Sequence, residues 1–142
     1  MPDLSDLRRR VRQAIQDAKQ KGAARRASRD EAAGAWATVV SAVVEPVATD
    51  VAAALTGEGL PFRLDTPRGT VRLVSERSPD DYIEIALDDS DEREAPEVIG
   101  RTVRARGRQS VTVVEELLGP PAQLSEDRVV AFLMGAIAPW AR

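Results

Sequence analysis

The chain has 142 residues, of which 43% are hydrophobic and 30% charged, and this length and composition fit one folded domain with its own core. It contains no cysteine and no histidine, which excludes disulfides, the usual zinc sites and nucleophilic sites of the Ser–His or Cys–His kind. Its 20 bases and 23 acids give a net charge of −3, whereas nucleic-acid-binding domains are usually basic.

The first predicted element is an amphipathic helix over residues 3–21, and Asp3 or Ser5 can cap its start. Its apolar residues recur at steps of three and four and form one narrow stripe; they are Leu4, Leu7, Val11, Ile15 and Ala18. Residues 22–29 have no apolar period and predict a flexible connection or a frayed helix end. We therefore divide the chain into an N-terminal amphipathic helix with a flexible connection (1–29) and a single α+β domain (30–142).

A second helix is predicted over residues 30–56 by the broadest apolar face in the chain. That face consists of Trp36, Val40, Val43, Val44, Val47, Val51 and Leu55. Pro46 lies inside the helix and lacks the N–H that would bond four residues back, which predicts a kink near residues 41–43. Gly57 and Gly59 indicate the end of the helix.

Five strands follow, separated by short turns that favour an antiparallel meander. The predicted strands are 62–66, 70–76, 82–88, 98–106 and 109–115. In the third strand we place Ile83, Ile85 and Leu87 inward, and Tyr82, Glu84 and Asp88 outward. In the fourth strand we place Ile99, Val103 and Ala105 inward, opposite Thr102, Arg104 and Arg106.

A last helix is predicted from Ser125, its cap, to about residue 138, where Pro139 stops it and Trp140 folds back as a lid on the core. The expected fold is α+β: an antiparallel meander of four to five strands with helices packed on one face, plus the N-terminal amphipathic helix. The other face of the sheet is expected to be polar and open. This helix–meander–helix layout is similar in general topology to small bacterial modules, which implies no activity.

Residues 78–97 contain nine acids and one base, Arg93. Asp89, Ser90 and Asp91 have the opening spacing of a calcium loop, but the fifth position is Arg93 and the sixth is not glycine. We interpret the segment as a solvated loop, with a looser hard-cation site as the alternative. Glycine-rich cofactor loops and nucleophile motifs are missing from the sequence, so we expect a non-enzymatic protein without cofactor or metal. A small-molecule binder or carboxylate hydrolase stays open as a third hypothesis.

Arginines are concentrated near the fourth strand and form a candidate site for nucleic acid or another anion. They are Arg72, Arg101, Arg104, Arg106 and Arg108. We place Arg104 and Arg106 on the outward face, where Arg72 can join them. The alternative is that these arginines pair across strands with Glu76, Glu84 and Asp88.

The stripe residues Leu4, Leu7, Val11 and Ile15 are the candidate partner-binding site. The sequence predicts a protein-interaction or assembly module that binds a protein partner or itself, with a homodimer as the simplest form. Nucleic-acid binding through the arginines of the first helix and of residues 101–108 is the alternative. No apolar run reaches the ~20 residues that span a bilayer, and the N-terminal residues do not resemble a secretory signal. We therefore expect a cytoplasmic protein without a membrane partner.

Overall fold

The computed structural model describes residues 1–91, 93–107 and 110–141. Three helices and five strands form the fold. The helices are α1 (Leu4–Val39), α2 (Glu45–Gly57) and α3 (Glu126–Ala136). The strands are β1 (Phe62–Asp65), β2 (Val71–Ser75), β3 (Tyr82–Asp88), β4 (Glu97–Arg106) and β5 (Ser110–Gly119). The predicted α+β class and antiparallel meander are confirmed.

The helices α1 and α2 form one continuous rod, joined by a π-helical turn over Val40–Val44. Over its 54 residues the rod is about 80 Å long. The π-turn lies directly before Pro46, which has no N–H to donate to a carbonyl of the preceding turn. At the end of this wider turn, the Glu45 N–H bonds to the carbonyl of Val40, five residues back. The π-turn thus spans residues 41–43, where the sequence predicts a kink.

Residues 22–29 are helical, where the sequence predicts a flexible connection. The segment Gly22-Ala-Ala-Arg-Arg-Ala-Ser-Arg29 has no apolar period and is mostly exposed, yet its alanines and arginines are strong helix formers. The prediction of a break there is therefore wrong, while the division of the chain at residue 29 stays a prediction. At the start of the rod, the Asp3 carboxylate accepts a hydrogen bond of 2.8 Å from the Asp6 N–H and is the cap.

The rod ends in a Schellman motif. The N–H groups of Gly59 and Leu60 bond to the carbonyls of Thr56 and Leu55 at 3.1 and 2.8 Å. Gly59 has a φ of +87°, which a side chain would disfavour. This reversal directs the chain from α2 into β1.

The sheet has strand order β1-β2-β3-β4-β5, and every neighbouring pair is antiparallel. One face contributes to the main core, together with the inner sides of α2 and α3. The core side chains of this face are Phe62, Val71, Leu73, Ile83, Ile85 and Val98. The π-helical turn, α2 and α3 cover them with Val44, Ala48, Leu55, Val129, Phe132 and Leu133.

Trp140 closes one end of this core, as predicted. Its ring meets Phe62 edge-on at 5.5 Å between centroids, and its Nε1–H donates to Asp81 at 3.3 Å. Asp81 also accepts a 2.7 Å hydrogen bond from the Ala105 N–H and is only 7% exposed. Asp81 belongs to the segment 78–97, which is predicted to be a solvated loop, and its burial corrects that interpretation at this residue.

The faces of β4 are the reverse of the prediction. Val98, Gly100 and Thr102 pair with Leu87, Ile85 and Ile83, so they share the helix-covered face. Ile99, Val103 and Ala105 lie on the opposite face. That face is consequently not simply polar: Val74, Ala86, Ile99 and Val103 are buried there. Glu84, predicted to point outward to solvent, is on this face and is 6% exposed.

The rod Leu4–Gly57 contains an 18-residue window with a mean hydropathy of 1.5, one third of which is buried in the protein. By length and composition alone this helix could cross a membrane, contrary to the expectation from apolar run length. Core helices meet the same criterion, and here Val44, Ala48 and Leu55 pack on the sheet.

Candidate partner-binding surfaces

The N-terminal part of α1 extends away from the folded core. Its first buried residue is Ala32, followed by Trp36, whose Nε1–H donates to the Gly69 carbonyl at 3.0 Å. Residues 7–21 are all exposed. About 25 residues of helix, or roughly 40 Å, therefore project from the domain. This projecting segment, residues 4–27, is called the arm below.

The apolar stripe predicted from the sequence is present on the arm, and it is exposed to solvent. The exposed fractions of Leu4, Leu7, Val11 and Ile15 are 64%, 44%, 57% and 50%. From Leu4 through Ala18 the steps average 3.5 residues, the period of a coiled-coil seam, so the stripe runs along one side of the arm. Arg8, Arg12 and Lys19 border it.

A second apolar surface lies between α2 and α3, on the side of the two helices that faces away from the sheet. It is an open groove of about 300 Å³ whose lining is almost entirely apolar. Its floor and walls are Val51, Ala54, Leu55, Met134 and Ile137. Asp50 and Glu58 border the α2 side. This groove was not predicted from the sequence; its sign in the structure is Met134, an apolar side chain of α3 that is 47% exposed.

The edge strand β5 is a third exposed apolar surface. Residues 110–117 are all exposed, including Val111, Val113, Val114 and Leu117. Beside the strand, a groove of about 390 Å³ runs between β4, β5 and α3. Glu115 and Glu116 line it, and each is paired with an arginine: Glu115 with Arg101 at 3.2 Å and Glu116 with Arg128 at 3.6 Å.

The predicted arginine cluster does not form one patch. Arg72 and Arg101 flank Glu84 on the sheet face without helices, at 2.9 and 3.1 Å from its two oxygens. Arg101 also reaches Glu115 at 3.2 Å. Burial acts to lower the pKa of Arg101, but hydrogen bonds and attraction from Glu115 and Glu84 outweigh it, and the pKa is raised. These two arginines are therefore neutralised by acids on neighbouring strands. For Glu84, this is the cross-strand pairing that the sequence offers as the alternative to an anion site.

The other arginines of the cluster lie elsewhere. Arg104 is on the helix-covered face, with its guanidinium 5.4 Å from the Trp140 ring centroid, so it does not share a face with Arg72. Arg106 is exposed near the β4–β5 turn, and its carbonyl accepts a hydrogen bond from the Ser110 hydroxyl. Arg108 lies outside the described residues. These side chains are separated because the two faces of β4 are the reverse of the prediction.

The acidic segment 78–97 is held by arginines. Arg93 bonds to Asp88 at 2.6 Å and lies 3.7 Å from Glu97, and Arg29 of α1 pairs with Asp91. The Arg93 hydrogen bond, supported by the Ser90 N–H, lowers the pKa of Asp88. Within residues 1–91, 93–107 and 110–141, no group of three or more acids is arranged to hold a metal ion.

Comparisons with protein-family models, with curated proteins and with solved structures find no match to this chain. The surfaces described above are therefore the basis for a functional proposal.

Proposed function

We propose that the protein is a non-enzymatic assembly module that self-associates through the stripe on its projecting arm. The observation that supports this proposal is the exposure of Leu4, Leu7, Val11 and Ile15 on a helix whose residues 7–21 are all exposed. A contiguous exposed apolar surface of this kind is typical of a protein-binding site. A homodimer is the simplest assembly, since closed two-fold dimers are the commonest oligomers.

The energetics require more than contact along the stripe. Removing the exposed halves of four aliphatic side chains from water contributes about 3–6 kcal/mol. Association costs at least about 4 kcal/mol in lost translational and rotational freedom. The stripe must therefore meet an apolar surface that also buries its flanks and offers compatible charges.

The test is the mass of the full chain in solution, by light scattering after size exclusion. We expect a dimer for the native sequence and a monomer for Leu7→Glu/Val11→Glu. Gln13→Glu/Gln20→Glu is the matched control: it adds the same charge on the opposite side of the arm and should stay dimeric. A native chain that is monomeric at ~100 µM would overturn the proposal, because a dimer with a useful affinity is populated there.

Nucleic-acid binding is the outcome to examine if the chain is monomeric. With Arg72 and Arg101 paired to acids, the bases available for phosphate are mainly those of the arm, including Arg8, Arg10 and Arg12. A gel shift at ~50 mM salt that disappears at ~300 mM would support this alternative, because phosphate contacts depend steeply on salt.

A further inference from the structure

We infer that the stripe on the arm of one copy binds in the groove between α2 and α3 of a second copy. This inference rests on the proposed self-association and names the surface that receives the arm. It is a helix-in-groove contact, in which apolar side chains spaced along one side of a helix fill a furrow between two others.

The two surfaces match in apolar character and in length. The stripe from Leu4 to Ile15 extends over about 16 Å of helix. The groove wall from Asp50 to Glu58 extends over about 12 Å. Met134, Ala54 and the exposed edge of Leu55 give the groove an apolar floor, and almost none of its surface is polar. An arm helix lying there would add a third helix beside α2 and α3.

The two surfaces also match in charge. The stripe is bordered by Arg8, Arg12 and Lys19, and the groove by Asp50 and Glu58. In the described part of the chain, none of these five residues belongs to an ion pair. Arg12 and Lys19 are about 10 Å apart along the arm, close to the 12 Å between Asp50 and Glu58. Two bases can therefore meet two acids when the helices lie side by side.

The arm cannot reach the groove of its own chain. Stripe and groove wall belong to the same continuous rod, and Ile15 lies 35 residues before Asp50, or about 50 Å along the helix axis. Folding the arm back would break the helix. The occupant must come from another molecule, and reciprocal exchange of arms between two copies would close a two-fold dimer.

The competing surfaces match the stripe less well. Pairing two stripes with each other would place Arg8, Arg12 and Lys19 close to the same residues of the second copy, which is repulsive. In the groove beside β5, the two lining acids Glu115 and Glu116 are already paired with Arg101 and Arg128. The α2–α3 groove, in contrast, combines an almost wholly apolar lining with two acids, Asp50 and Glu58, that belong to no ion pair among the described residues.

Cross-linking tests the inference directly, because the native chain contains no cysteine. Val11→Cys and Met134→Cys proteins are prepared separately, mixed, allowed to exchange and treated with a short bismaleimide. We expect a cross-linked dimer from the mixture and little from either variant alone. A strong Val11→Cys dimer by itself would mean that stripe pairs with stripe. That result, or an absence of mixed product from a dimeric protein, overturns the inference but leaves the proposed self-association intact.

A charge exchange provides an independent measurement. Arg12→Glu/Lys19→Glu should raise the dimer dissociation constant about tenfold, since each exposed ion pair is worth up to ~1 kcal/mol. Asp50→Arg/Glu58→Arg should do the same, and combining the four substitutions in one chain should restore most of the affinity. Additive losses in the combined variant would overturn the pairing of these residues. If every variant and the native chain are monomers, the proposed function itself has failed.

Discussion

Glu84 is the centre of the charge network on the sheet face without helices. Its side chain is 7% exposed and accepts from Arg72 and Arg101, which are about 30% exposed. Register places Asp65, Arg72, Glu84, Arg101 and Glu115 opposite one another on five successive strands, so charges of alternating sign cross the sheet. A buried charge of this kind is tolerated only when its partners are present.

Glu84→Gln should lower the free energy of unfolding by about 2 kcal/mol, because two guanidinium groups would lose their shared counter-charge while remaining half-buried. Urea unfolding of the native and substituted chains measures the difference. Glu115→Gln is the control, since this side chain is 50% exposed and bonds one arginine; its cost should stay below about 1 kcal/mol. Equal costs for the two substitutions would contradict a central role for Glu84.

Gly100 allows α3 to approach β4 closely. A Cβ at this position would lie 2.4 Å from the Cε1 and Cζ atoms of Phe132, whose ring is 5% exposed. Gly100→Ala should therefore destabilise the fold by about 2–3 kcal/mol, as overpacked cores do. Gly34→Ala, at an exposed helical site with no atom within 4 Å, should instead stabilise by about 0.5–1 kcal/mol. Thermal unfolding of both variants shows whether the contact with Phe132 decides the sign.

Asp88 links stability to acid pH. Its pKa is lowered in the folded protein by Arg93 and the Ser90 N–H, relative to a value of 3.8 in the unfolded chain. Its stabilising contribution is therefore complete above about pH 3.8 and is lost as the pH falls through the folded-state pKa. Asp88→Asn should be less stable than the native chain at pH 6, and the difference should shrink below pH 3.8. A difference that is constant from pH 6 to pH 2.5 would exclude this carboxylate as the cause.

The elements illustrate what alternation and periodicity can predict. Period-2 alternation and turn signals located the five strands, the short turns between them predicted the antiparallel meander, and the caps at Asp3 and Ser125 agreed with the structure. Alternation could not determine which side of β4 faces the helices, because both sets contain apolar residues. The face of β4 with Ile99 and Val103 is the more hydrophobic one, but the face with Gly100 leaves room for the Phe132 ring of α3. Which face is turned toward the helices therefore depends on packing between elements that are distant in sequence.

The rod formed by α1 and α2 shows a second limit. Residues 22–29 lack an apolar face, which predicts a break if helices form only through packing. In the structure the helix continues because its local propensity is high and nothing terminates it: no proline occurs between Pro2 and Pro46. The apolar period therefore indicates where a helix is covered, and the propensity determines how far it extends.

Deleting residues 2–21 should leave the remaining domain intact, because the first buried side chain of α1 is Ala32. We expect the urea midpoint of the truncated chain to match that of the full chain at low protein concentration, where dimers dissociate. Far-ultraviolet circular dichroism should lose the helical signal of the removed residues and no more. A large drop in the midpoint would show that the arm stabilises its own domain, contrary to its exposure.

Charge is divided unevenly over the whole molecule. Residues 1–32 contain nine bases and five acids, a net of +4, and the remaining 110 residues contain 11 bases and 18 acids, a net of −7. The sequence showed this asymmetry, together with the stripe. It could not show a receiving surface, because the groove forms only where α2 and α3, separated by the entire sheet in sequence, lie side by side.

This asymmetry predicts how the assembly responds to salt. A basic arm bound to an acidic domain is attracted electrostatically, and raising the salt concentration from ~50 mM to ~500 mM shortens the screening length from roughly 14 Å to 4 Å. The dimer dissociation constant should rise several-fold over that range. It should not rise a thousand-fold, because the apolar contacts of Leu7 and Val11 are not screened. Sedimentation at a series of protein concentrations measures both limits. A dimer that tightens steadily with salt would mean that association is driven by apolar contact alone, and that Asp50 and Glu58 have no part in holding the arm.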